Sequence, residues 1–162
     1  VPWTVSPEAT KVTFDGEVLT SQAGDLLGSA EQAFIEWDLM NKVPSEKLVA
    51  VSPCFRMESE YNDLHHLSFM KVELYWNRCR WQDLLLDAKR FFESLGIENI
   101  QREIQPPGPY RIQEDLVANG IELGSYGYRT QKGLSWSYGT GLAEPRTSVV
   151  MKEGKNEASF CR

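Results

Sequence analysis

Arg56 and Arg146 are the side chains of this sequence best suited to a polyphosphate. A guanidinium is always charged, and its planar fork matches phosphate oxygens at two points. Arg56 stands in Cys54-Phe55-Arg56-Met57-Glu58, which runs on to a second strand-like stretch, Phe69-Met70-Lys71-Val72-Glu73. Arg146 follows Gly139-Thr140-Gly141-Leu142-Ala143-Glu144-Pro145. In the first turn of a helix opening near Glu144, Arg146 would add full charge where orphan N–H groups and the helix dipole already favour an anion. Gly139 and Gly141 remove side chains where a flat ring or a backbone could approach closely, although glycine in a strand more often marks a bulge or bend. Together the two segments read as an ATP site.

The elements that must hold these residues are legible from periodicity. Ser29 to Met40 has apolar residues at Ala30, Ala33, Phe34, Trp37 and Met40, helical spacing behind a serine cap, and reads as a surface helix. Lys47 to Glu58 and Ser68 to Trp76 are rich in β-branched and aromatic residues and read as a long hairpin, with the turn in the polar stretch Ser59 to Asp63. In the second strand Met70, Val72, Leu74 and Trp76 point one way while Phe69, Lys71, Glu73 and Tyr75 point the other, so one face is expected to be core and the other functional. Arg56 and Glu58 share a face of the partner strand. Gln82 to Leu95 carries one apolar stripe and stops at Gly96, a second helix. Further strands are expected at Asn99 to Gln105, Asn119 to Tyr128 and Leu134 to Gly141, with Pro145 in the first turn of a last helix. Helices mixed with hairpin-linked strands, without regular βαβ alternation, indicate an α+β fold: an antiparallel sheet flanked by helices.

At 162 residues and 41% hydrophobic content the chain fits a single domain, 1–162. The net charge of −6 argues against a generic nucleic-acid coat, for which a basic patch or stripe would be expected. Arg78-Cys79-Arg80 with Lys89-Arg90 reads as a solvated face, and Pro106-Pro107-Gly108-Pro109 as a rigid connector. No apolar run approaches a membrane span, and Val1-Pro2-Trp3 is neither a basic nor an apolar presequence, so no membrane partner and a cytoplasmic location are expected. Val1 in place of Met suggests that upstream sequence is not shown. Cys54, Cys79 and Cys161 lack metal-ligand spacing and read as reduced thiols.

The ordered motifs resemble the class II aminoacyl-tRNA synthetases and are most similar to the seryl-tRNA synthetases. The resemblance rests on Gly28-Ser29-Ala30-Glu31-Gln32, on Pro53 to Glu58 with Phe69 to Glu73 as motif 2, on Glu122-Leu123-Gly124-Ser125, and on Gly139 to Ala143 with Arg146-Thr147 as motif 3. It covers most of Gly28 to Lys152. It implies amino-acid activation by ATP with Mg2+. Arg56 would hold the α-phosphate, Glu58 would accept from the adenine amino group, and Phe69 would stack on one adenine face with Arg146 over the other and on the γ-phosphate. His65 would support the γ-phosphate, Gly139 and Gly141 would line the nucleotide site, and Glu122 with Ser125 would bind magnesium. Glu31 or Glu73 would meet the amino-acid ammonium group, a choice the resemblance leaves open. No zinc is expected, since only Cys54 and Glu73 are plausible ligands.

The chain departs from that family where motif 1 and an appended tRNA-binding domain would stand. Motif 1 is reduced or absent, Trp3 to Pro7 being at best a remnant, so the oligomeric state is open. Ala143 replaces a third glycine, Pro145 a small residue, and the segment between Glu58 and Phe69 is shorter than in the seryl enzymes. Adenylation is thus implied more directly than transfer to tRNA. A paralogue serving another acceptor, or a non-catalytic module binding a nucleotide, an RNA or a protein, are the alternatives.

Overall fold

The computed structural model describes residues 1–13, 17–77, 80–108 and 111–160, with side chains through 153. Arg78, Cys79, Pro109 and Cys161, singled out above, lie outside these residues. Nine strands and four helices follow one another among the described residues. They are β1 (Thr4–Val5), α1 (Pro7–Thr13), β2 (Thr20–Ser21), β3 (Gly24–Leu26), α2 (Glu31–Leu39), β4 (Lys47–Phe55), β5 (Ser68–Asn77), α3 (Trp81–Ser94), β6 (Gln101–Ile104), β7 (Arg111–Ala118), β8 (Ile121–Gln131), β9 (Leu134–Ala143) and α4 (Arg146–Phe160). Strands β4-β5-β9-β8-β7-β6 form an antiparallel sheet, and β1-β3-β2 a small second one. The α+β expectation holds. No described helix is long and apolar enough to cross a membrane.

Side-chain alternation in the inner strands of the large sheet supplies two cores. On one face α3 buries Leu84, Leu85, Ala88 and Phe92 against Leu116, Leu123 and Tyr126. On the other, α2 sets Phe34 and Ile35 against Tyr75, Trp136 and Tyr138. Gly96, at φ +82, ends the α3 segment where the sequence places its stop.

Several boundaries differ from the sequence reading. The first strand of the hairpin stops at Phe55, so Arg56 and Glu58 lie beyond it, with Arg56 N–H still donating to Leu67 C=O at 3.0 Å. Helix α2 is no surface helix: Glu31, Gln32, Ala33, Phe34 and Ile35 are all buried. Strand β7 has no counterpart in the sequence reading, and Asn119-Gly120 is the turn between β7 and β8, both residues at positive φ, rather than the start of a strand. Pro145 precedes α4, its carbonyl accepting from Val149 N–H at 3.0 Å, which leaves Arg146 as the first helical residue.

The functional face of β5 is also its more buried one, Glu73 and Tyr75 being fully buried while Met70 on the opposite face is exposed. Two one-residue bulges then set the phase of the sheet around the cavity described next. In β8 the pairing passes from Gly124 opposite Leu116 to Glu122 opposite Val117, skipping Leu123. In β9 it passes from Leu142 to Thr140, skipping Gly141. Bulges of this kind re-aim side chains beside functional sites.

Candidate functional site

A cavity of about 260 Å3 opens on the α2 side of the sheet. Eight of the residues expected to act line it: Glu31, Arg56, Glu58, His65, Phe69, Glu122, Ser125 and Arg146. Gly139, Gly141 and Glu73 do not. A Cβ on Gly139 would meet Leu84 and Tyr126, and one on Gly141 would meet Val72 at 2.8 Å. The bare faces of both glycines are therefore filled by packed side chains, and Gly141 is the bulge residue itself.

One end of the cavity is built from segment ends. Arg56 is fixed by its Nε, which donates to Gly28 C=O at 3.1 Å, and its guanidinium lies 5.3 Å from the Phe69 ring centroid, a cation–π placement. His65 is presented by a local turn in which Asn62 Oδ1 accepts from the N–H groups of Leu64 and His65 at 2.9 and 3.0 Å. Arg146, at the start of α4, pairs with Glu122 at 3.1 Å, and Ser125 Oγ donates to the same carboxylate at 3.2 Å. Residues three apart in a regular strand face opposite ways. The bulge at Leu123 is what brings Glu122 and Ser125 onto one cavity.

The other end is buried and cross-tied. Glu31, 4% exposed, accepts from Arg129 Nη1 on both oxygens, at 3.3 and 3.2 Å, and from Trp136 Nε1 at 2.7 Å. Arg129 also stacks on Tyr138, 4.3 Å from the ring centroid. Burial opposes the Arg129 charge, but Glu31 and Tyr138 outweigh it and raise its pKa. Burial also pushes the Tyr138 hydroxyl up to about 12, and that hydroxyl donates to Gln113 Oε1 at 2.9 Å. Lys71 lines the cavity and pairs with Glu73 at 2.7 Å, while Ser29 Oγ donates to the same Glu73 oxygen. The other Glu73 oxygen is buried without a hydrogen-bond partner. Burial pushes the Glu73 carboxyl above its ordinary range against the opposing pull of Lys71. Cys54 is buried too, and burial pushes its thiol up, which suits an inert thiol rather than a nucleophile.

Sequence reasoning assigned no role to Lys71, Gln113, Arg129, Trp136 or Tyr138. Lys71 alone carried a usable signal, since its alternation on β5 places it with Phe69 and Glu73. The others come from three strands and meet only through the pairing of those strands and the packing of α2.

Comparison with known proteins places this architecture. A structure of Desulfitobacterium hafniense PylSc, a pyrrolysyl tRNA synthetase, matches with a TM-score of 0.73 and 16% identity over 94% of this chain and 62% of that one. A second structure, pyrrolysyl-tRNA synthetase from the same organism, matches with a TM-score of 0.71 and 17% identity over the same shares. This chain has the class II synthetase catalytic fold. It spans less than two thirds of the length of those structures. Both are pyrrolysyl enzymes, so the likeness gives no support to a seryl specificity. No family model and no curated protein matches the sequence.

Proposed function

We propose that this protein activates an amino acid with ATP, forming an aminoacyl adenylate and releasing pyrophosphate. The observation that carries the reading is the convergence of Arg56 and Arg146, from distant segments, with Glu58, Phe69, Glu122 and Ser125 on one cavity of a class II synthetase fold. In the reaction a carboxylate oxygen of the amino acid attacks the α-phosphorus, and the bond to the bridging oxygen of pyrophosphate breaks. Arg56, anchored on Gly28, would hold the α-phosphate and offset the charge that builds on its oxygens. Glu58 would accept from the adenine amino group, Phe69 would stack on the base, and Arg146 with His65 would hold the γ-phosphate. Glu31 lines the cavity where Glu73 does not, which favours Glu31 over Glu73 as the carboxylate for the amino-acid ammonium group.

Glu122 and Ser125 supply two oxygen donors on the cavity wall. Among the described residues no group of three or more His, Cys, Asp or Glu could hold a metal by itself. A sparse oxygen set fits Mg2+, which keeps waters and takes substrate phosphates as ligands. Bound there it would neutralise triphosphate charge. By likeness of fold the acceptor of the activated amino acid is read as tRNA.

The test is amino-acid-dependent exchange of pyrophosphate into ATP, with magnesium, across the twenty amino acids. Exchange with one of them, lost in Arg56→Ala, is expected. No exchange with any, while ATP still binds in a titration, would leave a synthetase-derived nucleotide-binding module instead.

A further inference from the structure

We propose that the buried end of the cavity selects an amino acid whose side chain carries an oxygen acceptor, a hydroxyl, carboxamide or carboxylate, and rejects aliphatic, aromatic and cationic ones. This rests on the activation reading and gives it a substrate class. Arg129, Lys71, Gln113, Tyr138 and Glu31 line the cavity there, together with Ser29 and Gln32 beside Glu31 in the chain and Thr140 on the strand of Tyr138. Arginine and lysine offer donors and no acceptor. Both are held in place: Arg129 by Glu31 and the Tyr138 ring, Lys71 by Glu73. The polar groups around them are already committed to one another. Gln113 accepts from Tyr138 and donates to Asp115 Oδ1 at 3.0 Å, and the Glu31 oxygens accept from Arg129 and Trp136.

Among the described residues each of the two cations pairs with one carboxylate, Arg129 with Glu31 and Lys71 with Glu73, and an oxygen of the substrate side chain supplies a further acceptor on the cavity side. An aliphatic or aromatic side chain would strip water from two charges and return nothing, the situation in which sites built for hydrogen bonding reject an analogue most strongly. A side-chain ammonium or guanidinium would compete with the substrate's own α-ammonium group for Glu31 and would otherwise face two like charges.

The test uses the intact protein and a panel of non-hydrolysable adenylate analogues, the sulfamoyl adenosines carrying seryl, asparaginyl, aspartyl, leucyl, phenylalanyl or lysyl groups, with unacylated sulfamoyl adenosine as reference. Binding is read by calorimetry. The tightest oxygen-bearing analogue is expected to bind at least about 100-fold tighter than the leucyl, phenylalanyl and lysyl ones. Arg129→Lys, which keeps the charge and loses the fork, should narrow that ratio. Leucyl, phenylalanyl or lysyl analogues binding as tightly as the oxygen-bearing ones, with the reference compound bound, overturns this inference and leaves activation standing. Failure of the reference compound itself to bind overturns the activation reading and this one with it.

Discussion

The two ends of the cavity are built on opposite principles. Arg56, His65 and Arg146 sit just past the end of β4, in the loop after it, and at the start of α4, and each side chain or turn is held by a hydrogen bond or ion pair to one residue. Glu31 opens α2, Lys71, Glu73, Arg129 and Trp136 sit inside β5, β8 and β9, and these residues are fixed by each other. A group held by one bond at a segment end can move onto a phosphate at little cost to the fold. A group held in a buried ionic network is part of what keeps the sheet and α2 together. Substitutions at the two ends should therefore separate function from stability.

The largest effect is expected from Arg129→Met. It leaves the Glu31 carboxylate buried with Trp136 as its remaining donor, and removing one partner of a buried pair costs about 3–5 kcal/mol. Denaturant unfolding would measure it. A loss below about 1 kcal/mol would place this pair with exposed ion pairs, and the contrast between the two ends would fail.

Arg56→Ala is the complementary substitution. Its side chain is half-buried and its one anchoring bond goes to a backbone carbonyl, so unfolding stability should change little. Pyrophosphate exchange should fall by about 100- to 1,000-fold, the usual cost of removing one stabilising group from charge that develops in a transition state. Stability falling together with exchange would mean that Arg56 is structural.

The same division explains what could be read in the sequence. Arg56, Glu58, Phe69 and Arg146 lie in short local patterns, each recognisable without knowing what packs beside it. Arg129 and Trp136 could not be found that way, because they reach Glu31 only through the register of β8 and β9 and the packing of α2 on that face. The surface reading of α2 fails for a related reason: its apolar spacing is ordinary, and only the folded cavity shows that its polar residues Glu31 and Gln32 are covered as well. Strand β7 could have been found. Asn119-Gly120 is a strong two-residue hairpin signal, and reading it as the start of a strand concealed the strand before it.

Glu73 tests the buried end by pH. Its folded pKa is raised above the ordinary carboxylate range, chiefly by burial, so the native state binds this proton more tightly than the unfolded chain. That contribution is complete below the unfolded value and is lost as pH rises through the folded one. Stability should decline from about pH 4.5 upward through that window, with a limiting slope of about 1.4 kcal/mol per pH unit for one proton. Glu73→Gln should remove that component of the decline. Identical pH profiles for the two proteins, from urea unfolding at each pH, would show that Lys71 and Ser29 compensate the buried charge fully.

The smallest expected effect joins the two ends through the backbone. Gly120 has φ +71 and a Cβ there would meet nothing within 4 Å, so Gly120→Ala introduces backbone strain without a collision. A left-handed conformation costs a residue with a Cβ about 1–2 kcal/mol. If the Leu123 bulge isolates the site from the hairpin, that cost should appear in unfolding and ATP affinity should hold. If ATP affinity falls as well, strain at the turn has reached Glu122, two positions along the chain and inside β8. The segment-end half of the cavity would then depend on sheet register as closely as the buried half does.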